Sequence, residues 1–480
     1  MRRRQPWVVP IAGLAIAGLL TSCGSQAVPQ APTASAAPPT ASSAAPAGQS
    51  GAGASSAATA AASSRAEPLS ASPALPPAAS PVAPAPAPAK PVTPGGPVTE
   101  ADMAQAAAAV AAMSVPDQAG MVVMANSAQA VGADLVSRLH LGGVILMGSD
   151  GAIDGTTSGT PDEVAGVTAE LQSQVPASQA GAPLLVATDQ EYGLVTRLVN
   201  GFTDFPGTAE LSGIGSTDEA AAQTTKVTAA AGAEMLAVGI NVDFAPDADV
   251  VPSSGSSAIG DRSFGSDPQR DAALVAAAVQ GYQGAGLAAT IKHFPGLGRI
   301  SADTHESLPT LDVACDEWNT VESVPMRAGV DAGVALVMTG HVLVPAVGAD
   351  VPSSISGAVV SDLLRGAGTA GCTGLNFTGV TVSDAMEMAP ISQNYSPGEA
   401  AWRALVAGQD LVLMPTDPEA AVAGIITAAG NGSLSPDVLR QAATRVYALR
   451  LALARSQRPG LDVVGSAEHE AIAAEARAAG

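Results

Sequence analysis

Side chains that carry fixed positive charge or reactive nitrogen are scarce in this chain of 480 residues. Lysine occurs only at Lys90, Lys226 and Lys292, and histidine only at His140, His293, His305, His341 and His469. Arginine and lysine together number 21 against 43 acids, a formal net charge of -22, which excludes recognition of nucleic acid through basic patches. The three cysteines are too few for a disulfide-stapled scaffold, and none sits in a CxxC or Cys/His cluster of the kind that holds zinc. No GxGxxG follows the first predicted strand, so a dinucleotide site is not indicated. Aromatics make up only 3% of the chain, yet the hydrophobic share of 47% is ample for a sizeable core. The abundant Ala, Gly and Pro read as a codon bias rather than a function.

Against this background the N-terminus is distinctive. Arg2, Arg3 and Arg4 precede the apolar run WVVPIAGLAIAGLL, and Leu20-Thr21-Ser22-Cys23 follows. A charged start, a short apolar stretch and small residues form an export signal over 1-22, and the run is too short to span a membrane comfortably. Leu-Thr-Ser-Cys resembles the lipobox of bacterial lipoproteins, which implies acylation of Cys23, tethering to the extracytoplasmic face of the cell membrane and no spanning helix. The alternative is an ordinary signal peptide with an incidental cysteine. In an oxidising compartment the remaining Cys315 and Cys372 form an even pair able to make a disulfide, with two free thiols as the alternative.

Residues 23-98 are almost entirely Ala, Pro, Ser, Gly and Thr, as in PAPAPAPAKPVTPGGP, with too few large apolar residues to offset the entropy of folding. They read as a disordered linker. Over 99-455, eight continuous apolar runs alternate with helical stretches: MVVMA, GGVILM, PLLVATD, VDFAPD, AATIKHF, ALVMTGH, GVTVSD and DLVLMP. Unbroken apolar runs fit strands buried on both faces. Ser216-Thr217-Asp218-Glu219 has the form of a helix capping box, and Ser266-Asp267-Pro268-Gln269 opens another helix that Gly284 and Gly286 end. Eight such alternations predict an α/β fold, a (β/α)8 TIM-type barrel, with an open doubly wound sheet as its rival. Residues 456-480 are expected to be a C-terminal tail.

In a barrel the active site forms at the C-terminal ends of the strands, and polar residues close these runs: Asp189, Asp243 and Asp247, Lys292 and His293, His341, and Asp384. One alone could be a structural cap. Their repetition at one barrel mouth points to chemistry. KHFPGLGRISADTHESLP (292-309) then adds an Asp-Thr-His triplet on the following loop.

Together DQEYGLVTRL (189-198), IGDRSFGSDP (259-268), KHFPGLGRISADTHESLP and VTVSDAMEM (380-388) resemble, in the same order, the motifs of glycoside hydrolase family 3, particularly its single-barrel bacterial β-N-acetylglucosaminidases. The resemblance covers about 100-455. It implies a retaining, cofactor-free glycosidase with Asp384 as nucleophile and Asp303 with His305 as the acid/base pair. It also implies Asp189, Arg197, Arg262, Lys292 and His293 as sugar-binding residues, while an ion pair of Arg262 with Asp261 is the structural alternative. A strand-end carboxylate can stabilise oxocarbenium charge and form a glycosyl ester, and a histidine can donate and then accept a proton.

The expected substrate is a peptidoglycan-derived or other N-acetylglucosaminide. Transfer to phosphate, β-glucosidase activity, and a non-catalytic glycan-binding lipoprotein are the alternatives. Three positions depart from the family pattern. Tyr192 stands where a glycine is usual, Leu194 where an arginine is, and Leu297 where a second histidine is, which puts the substrate pocket's details in question.

Overall fold

The computed structural model describes residues 92, 95–147 and 159–480. The signal peptide over 1-22, Cys23, and the 23-98 linker except for residues 92 and 95–98 lie outside the described residues. All described residues belong to one compact unit, 84–480.

Its centre is a parallel sheet of eight strands: β1 (Val123–Asn126), β2 (Gly143–Ile145), β3 (Leu185–Thr188), β4 (Val242–Asp243), β5 (Ala288–Phe294), β6 (Leu336–Thr339), β7 (Val380–Ser383) and β8 (Val412–Leu413). Neighbours in sequence are neighbours in space, and β8 pairs back onto β1 through Val123–Val412 and Met124–Leu413. A parallel bridge between Val382 and Leu411 joins β7 to the start of β8. The sheet is thereby closed into the expected (β/α)8 barrel, without the edge that a doubly wound sheet would leave. Each of the eight apolar runs contributes one strand, and every strand residue is buried, which is why the runs do not alternate.

Local signals in the helices act as read from the sequence. Ser216 caps the helix Thr217–Ala237, its hydroxyl accepting from Glu219 N–H while the Glu219 carboxylate accepts from Ser216 N–H at 2.8 Å. For the helix Pro268–Ala285 the capping side chain is Asp267 rather than Ser266, because only its carboxylate reaches the N–H groups of Gln269 and Arg270. Gly286, at φ +100°, ends that helix in the left-handed conformation that glycine adopts without strain.

One feature was not expected, and the disulfide that was expected is present. Residues 456-480 are not a free tail: Ala467–Ala479 is a helix burying His469, Ala473 and Ala476 on one face, a spacing of four and three residues. It is tied to the barrel by His469 Nδ1 to Glu234 at 2.8 Å and by Lys226 to Glu475 at 2.7 Å. Cys315 and Cys372 are joined in a disulfide that links the short helix Cys315–Thr320 to a hairpin pairing Gly368–Thr369 with Cys372–Thr373. Among the described residues no helix is long and apolar enough to cross a membrane.

Candidate active site

One cavity of about 600 Å³ opens at the C-terminal ends of the strands, and all eight residues given a role by the resemblance line it: Asp189, Arg197, Arg262, Lys292, His293, Asp303, His305 and Asp384; Asp243, Asp247 and His341, also expected at the mouth, are buried and do not. They are drawn from the loops after β3, β4, β5 and β7 and from β5 itself.

The floor is an ion-pair network. Lys292, only 2% exposed, extends from β5 to place Nζ 2.8 Å from Asp189 Oδ1 and 2.5 Å from Glu191 Oε1. Glu191 in turn receives a two-pronged contact from Arg262, Nε to Oε2 at 2.8 Å and Nη2 to Oε1 at 2.9 Å. Burial opposes charge on all three, but the pairing outweighs it. Lys292 Nζ is held above the usual lysine range by Asp189 and Glu191, and the Glu191 carboxyl is held well below its ordinary value by Lys292 and Arg262. Arg262 therefore pairs with Glu191, not with Asp261 as the sequence alternative had it. Asp189 Oδ2 lies 3.8 Å from Arg197, the looser contact of the set.

His293 is oriented from behind. Its Nδ1 lies 2.8 Å from Asp249 Oδ2, while the other Asp249 oxygen accepts from Leu297 N–H at 2.5 Å. With Nδ1–H donated to Asp249, Nε2 is an acceptor, and Arg262 Nη2 faces it at 3.3 Å. Asp247, Asp249 and His293 bring possible metal-ligand atoms within 4.8 Å of one another. The Arg262 guanidinium, 3.7 Å from Asp247, already supplies a cation there.

Asp384 follows the last residue of β7. Its N–H donates to Thr339 O at 2.8 Å and its Oδ1 accepts from Ala385 N–H at 2.8 Å, which fixes the carboxylate at the cavity wall. Burial raises its pKa, but His293, His341, the Ala385 amide and Lys292 outweigh burial and hold the carboxyl below its ordinary range. It is thus ionised, as a nucleophile must be. His341 is completely buried behind it, with Nε2–H donated to Ala385 O at 3.0 Å and Nδ1 facing Ser354 Oγ at 2.8 Å, and burial keeps its pKa low. It supports the Asp384 loop and does not line the cavity.

Asp303 and His305 sit on the loop after β5. Asp303 Oδ1 accepts from the His305 backbone N–H and faces its ring Nδ1, both at 2.8 Å. These two contacts lower the Asp303 pKa and leave His305 Nε2 free to exchange a proton. The His305 side chain is 72% exposed, so the pair stands at the cavity's open side. Ion pairs of Arg299 with Glu317 and Glu322 secure the root of this loop, and Gly298 lets it lie against the chain after β4, where a Cβ would come within 2.0 Å of Val250 O.

The three departures now separate. Tyr192 has φ +64°, a conformation that favours glycine, and its ring is buried edge-on against Phe205 with centroids 5.4 Å apart, away from the cavity. Leu194 is 70% exposed and does not line the cavity either. Leu297 does line it, and is the one departure that changes the pocket's surface.

Sequence reasoning missed Glu191 and Asp249. Glu191 was visible as a second acid two residues after Asp189 in a chain poor in charge, and Asp249 as the third acid of DFAPDAD.

A barrel mouth that gathers an ionised strand-end carboxylate, a loop histidine–aspartate pair and a network of acids and cations holds the groups that retaining glycoside hydrolysis needs. Residues 110–449 match the model of the glycosyl hydrolase family 3 N terminal domain, and the chain belongs to that family. It is 33% identical over 297 residues to Beta-hexosaminidase A of Pseudoalteromonas piscicida, an alignment covering 59% of this chain and 47% of that protein, so it spans about half of that relative's length. To Beta-hexosaminidase LpqI of Mycobacterium tuberculosis (strain ATCC 25618 / H37Rv) it is 33% identical over 342 residues, covering 69% of this chain and 81% of that one. A solved glycoside hydrolase family 3 beta-N-acetylglucosaminidase from Paenibacillus sp. str. FPU-7 superposes with a TM-score of 0.67 at 33% identity, covering 76% of this chain and 68% of that one.

Proposed function

We propose that the chain is a retaining β-N-acetylglucosaminidase that removes terminal β-linked N-acetylglucosamine. The observation that carries this reading is the presence of Asp384, held ionised, and of the Asp303–His305 pair on the walls of one cavity. In the first step an Asp384 oxygen attacks the anomeric carbon, the bond to the leaving oxygen breaks, and protonated His305 gives that oxygen its Nε2 proton. In the second, neutral His305 takes a proton from water as the water oxygen bonds to the anomeric carbon, and the ester electron pair returns to Asp384. Asp303 orients the ring through Nδ1 and stabilises its cationic form.

Asp189, Arg197, Arg262, Lys292 and His293 hold the sugar, their carboxylates accepting from hydroxyls and their cations donating to them. The export signal and lipobox-like Leu20-Thr21-Ser22-Cys23 support anchoring through Cys23 outside the cytoplasm, where peptidoglycan fragments are the natural source of N-acetylglucosaminides. Release of aryl alcohol from an aryl β-N-acetylglucosaminide by wild type, and its loss in Asp384→Ala and His305→Ala, tests the activity. Wild-type inactivity, or full activity in Asp384→Ala, overturns it. Radiolabelled fatty acid incorporation by wild type but not Cys23→Ala tests the anchor.

A further inference from the structure

We infer that Glu387 selects the acceptor in the second step, admitting water and excluding inorganic phosphate. The inference rests on the proposed roles of Asp384 and His305.

Glu387 lies three residues after Asp384, lines the same cavity and is exposed to it. No described residue hydrogen-bonds or ion-pairs with its carboxylate; partial burial raises its pKa, and His305 nearby acts against that rise. The main chain explains the proximity: Ala389, two residues on, donates its N–H to the His305 carbonyl oxygen at 3.2 Å, joining the β7 loop to the loop that carries the dyad. Glu387 thus stands on the side of the cavity where the acceptor meets His305.

Charge in the rest of the cavity does not favour an anion. With Asp384 held as the neutral ester, four carboxyl side chains line it, Asp189, Glu191, Asp303 and Glu387, against three permanent cations. Those cations are committed: Lys292 to Asp189 and Glu191, Arg262 to Glu191, and Arg197 towards Asp189. Among the described residues no lysine or arginine is paired with Glu387.

The glycosyl–Asp384 ester can be opened by either acceptor with the same bond changes. A new bond forms from the acceptor oxygen to the anomeric carbon, and the bond to Asp384 breaks with its electron pair returning to the carboxylate. Water must lose a proton, which His305 Nε2 takes. A phosphate dianion attacks through an oxygen that carries no proton, so His305 imposes no selection against it. The selection then lies in whether the anion reaches the carbon, and a carboxylate that no lysine or arginine pairs with, in a partly desolvated cavity, repels it while leaving water unaffected.

The experiment measures free N-acetylglucosamine against N-acetylglucosamine 1-phosphate formed from an aryl β-N-acetylglucosaminide at increasing phosphate. Wild type is expected to give free sugar throughout. Glu387→Gln, and Glu387→Ala as a second neutral variant, are expected to raise the ratio of 1-phosphate to free sugar by about tenfold or more, the effect of removing one like charge at short range. Predominant 1-phosphate from wild type, or an unchanged ratio in both variants, overturns the proposal. If wild type cleaves no glycoside, the glycosidase reading fails separately, and phosphorus NMR line broadening of phosphate by the folded proteins decides this one. Binding to Glu387→Gln but not wild type supports it, and equal behaviour overturns it.

Discussion

Lys292 and Glu191, buried side chains from β5 and the β3 loop, meet at 2.5 Å beneath the cavity, and Arg262 closes on the same carboxylate. Removing the Glu191 charge leaves two buried cations sharing only Asp189 and Asp247. Glu191→Gln is expected to destabilise the protein by about 3 kcal/mol and to raise KM, because Lys292 and Arg262 both lose their position. Thermal unfolding and steady-state kinetics check this. The Glu191 carboxyl is lower in the folded state than in the unfolded chain, so its contribution is present above the ordinary glutamate range and is lost only as the pH falls through about 2.

Asp271 has the opposite sign. It is 2% exposed, neither of its oxygens accepts a hydrogen bond from a described residue, and burial, with Asp267 nearby, pushes its carboxyl up to about 7. Below the ordinary aspartate value of 3.8 it is protonated whether folded or unfolded, and the folded state loses relative stability as the pH rises from there through 7. Asp271→Asn is therefore expected to stabilise the protein at pH 8 by on the order of 2 kcal/mol and to have little effect at pH 4. Denaturant melts at the two pH values read the difference.

Tyr192 tests packing against backbone strain. Glycine in its place relieves a left-handed conformation worth about 1 kcal/mol but empties the space beside Phe205, which costs about 3 kcal/mol or more. Tyr192→Gly is expected to lower Tm while leaving KM unchanged below the transition, since the ring is outside the cavity. A higher Tm would show that the backbone effect dominates.

The barrel was legible because a strand buried on both faces must be written as an unbroken apolar run, and because each run ends where a polar residue can face the mouth. The same reasoning brought Asp189, Lys292, His293 and Asp384 to one cavity, but it also placed there Asp243, Asp247 and His341, which are buried outside it. It could not find the partners of those residues. Glu191 and Asp249 act through contacts between loops distant in sequence, and periodicity carries no trace of which acid a given cation chooses. Residues 456-480 were misread because Ala-rich helices with small buried faces look like low-complexity chain, and only the contacts of His469 with Glu234 and of Lys226 with Glu475 show what they pack on. Tyr192 was suspect as a pocket residue, but its φ value ties it to backbone geometry instead.

Asp384 as the atom source of a covalent glycosyl ester is tested most directly by intact-protein and peptide mass spectrometry. His305→Ala, incubated with a dinitrophenyl β-N-acetylglucosaminide whose leaving group needs no proton, should form the ester and then stall, because no base activates water. One N-acetylglucosaminyl unit on the peptide carrying Asp384 is the predicted result. No adduct in either wild type or His305→Ala under turnover conditions, or an adduct on another residue, would contradict it.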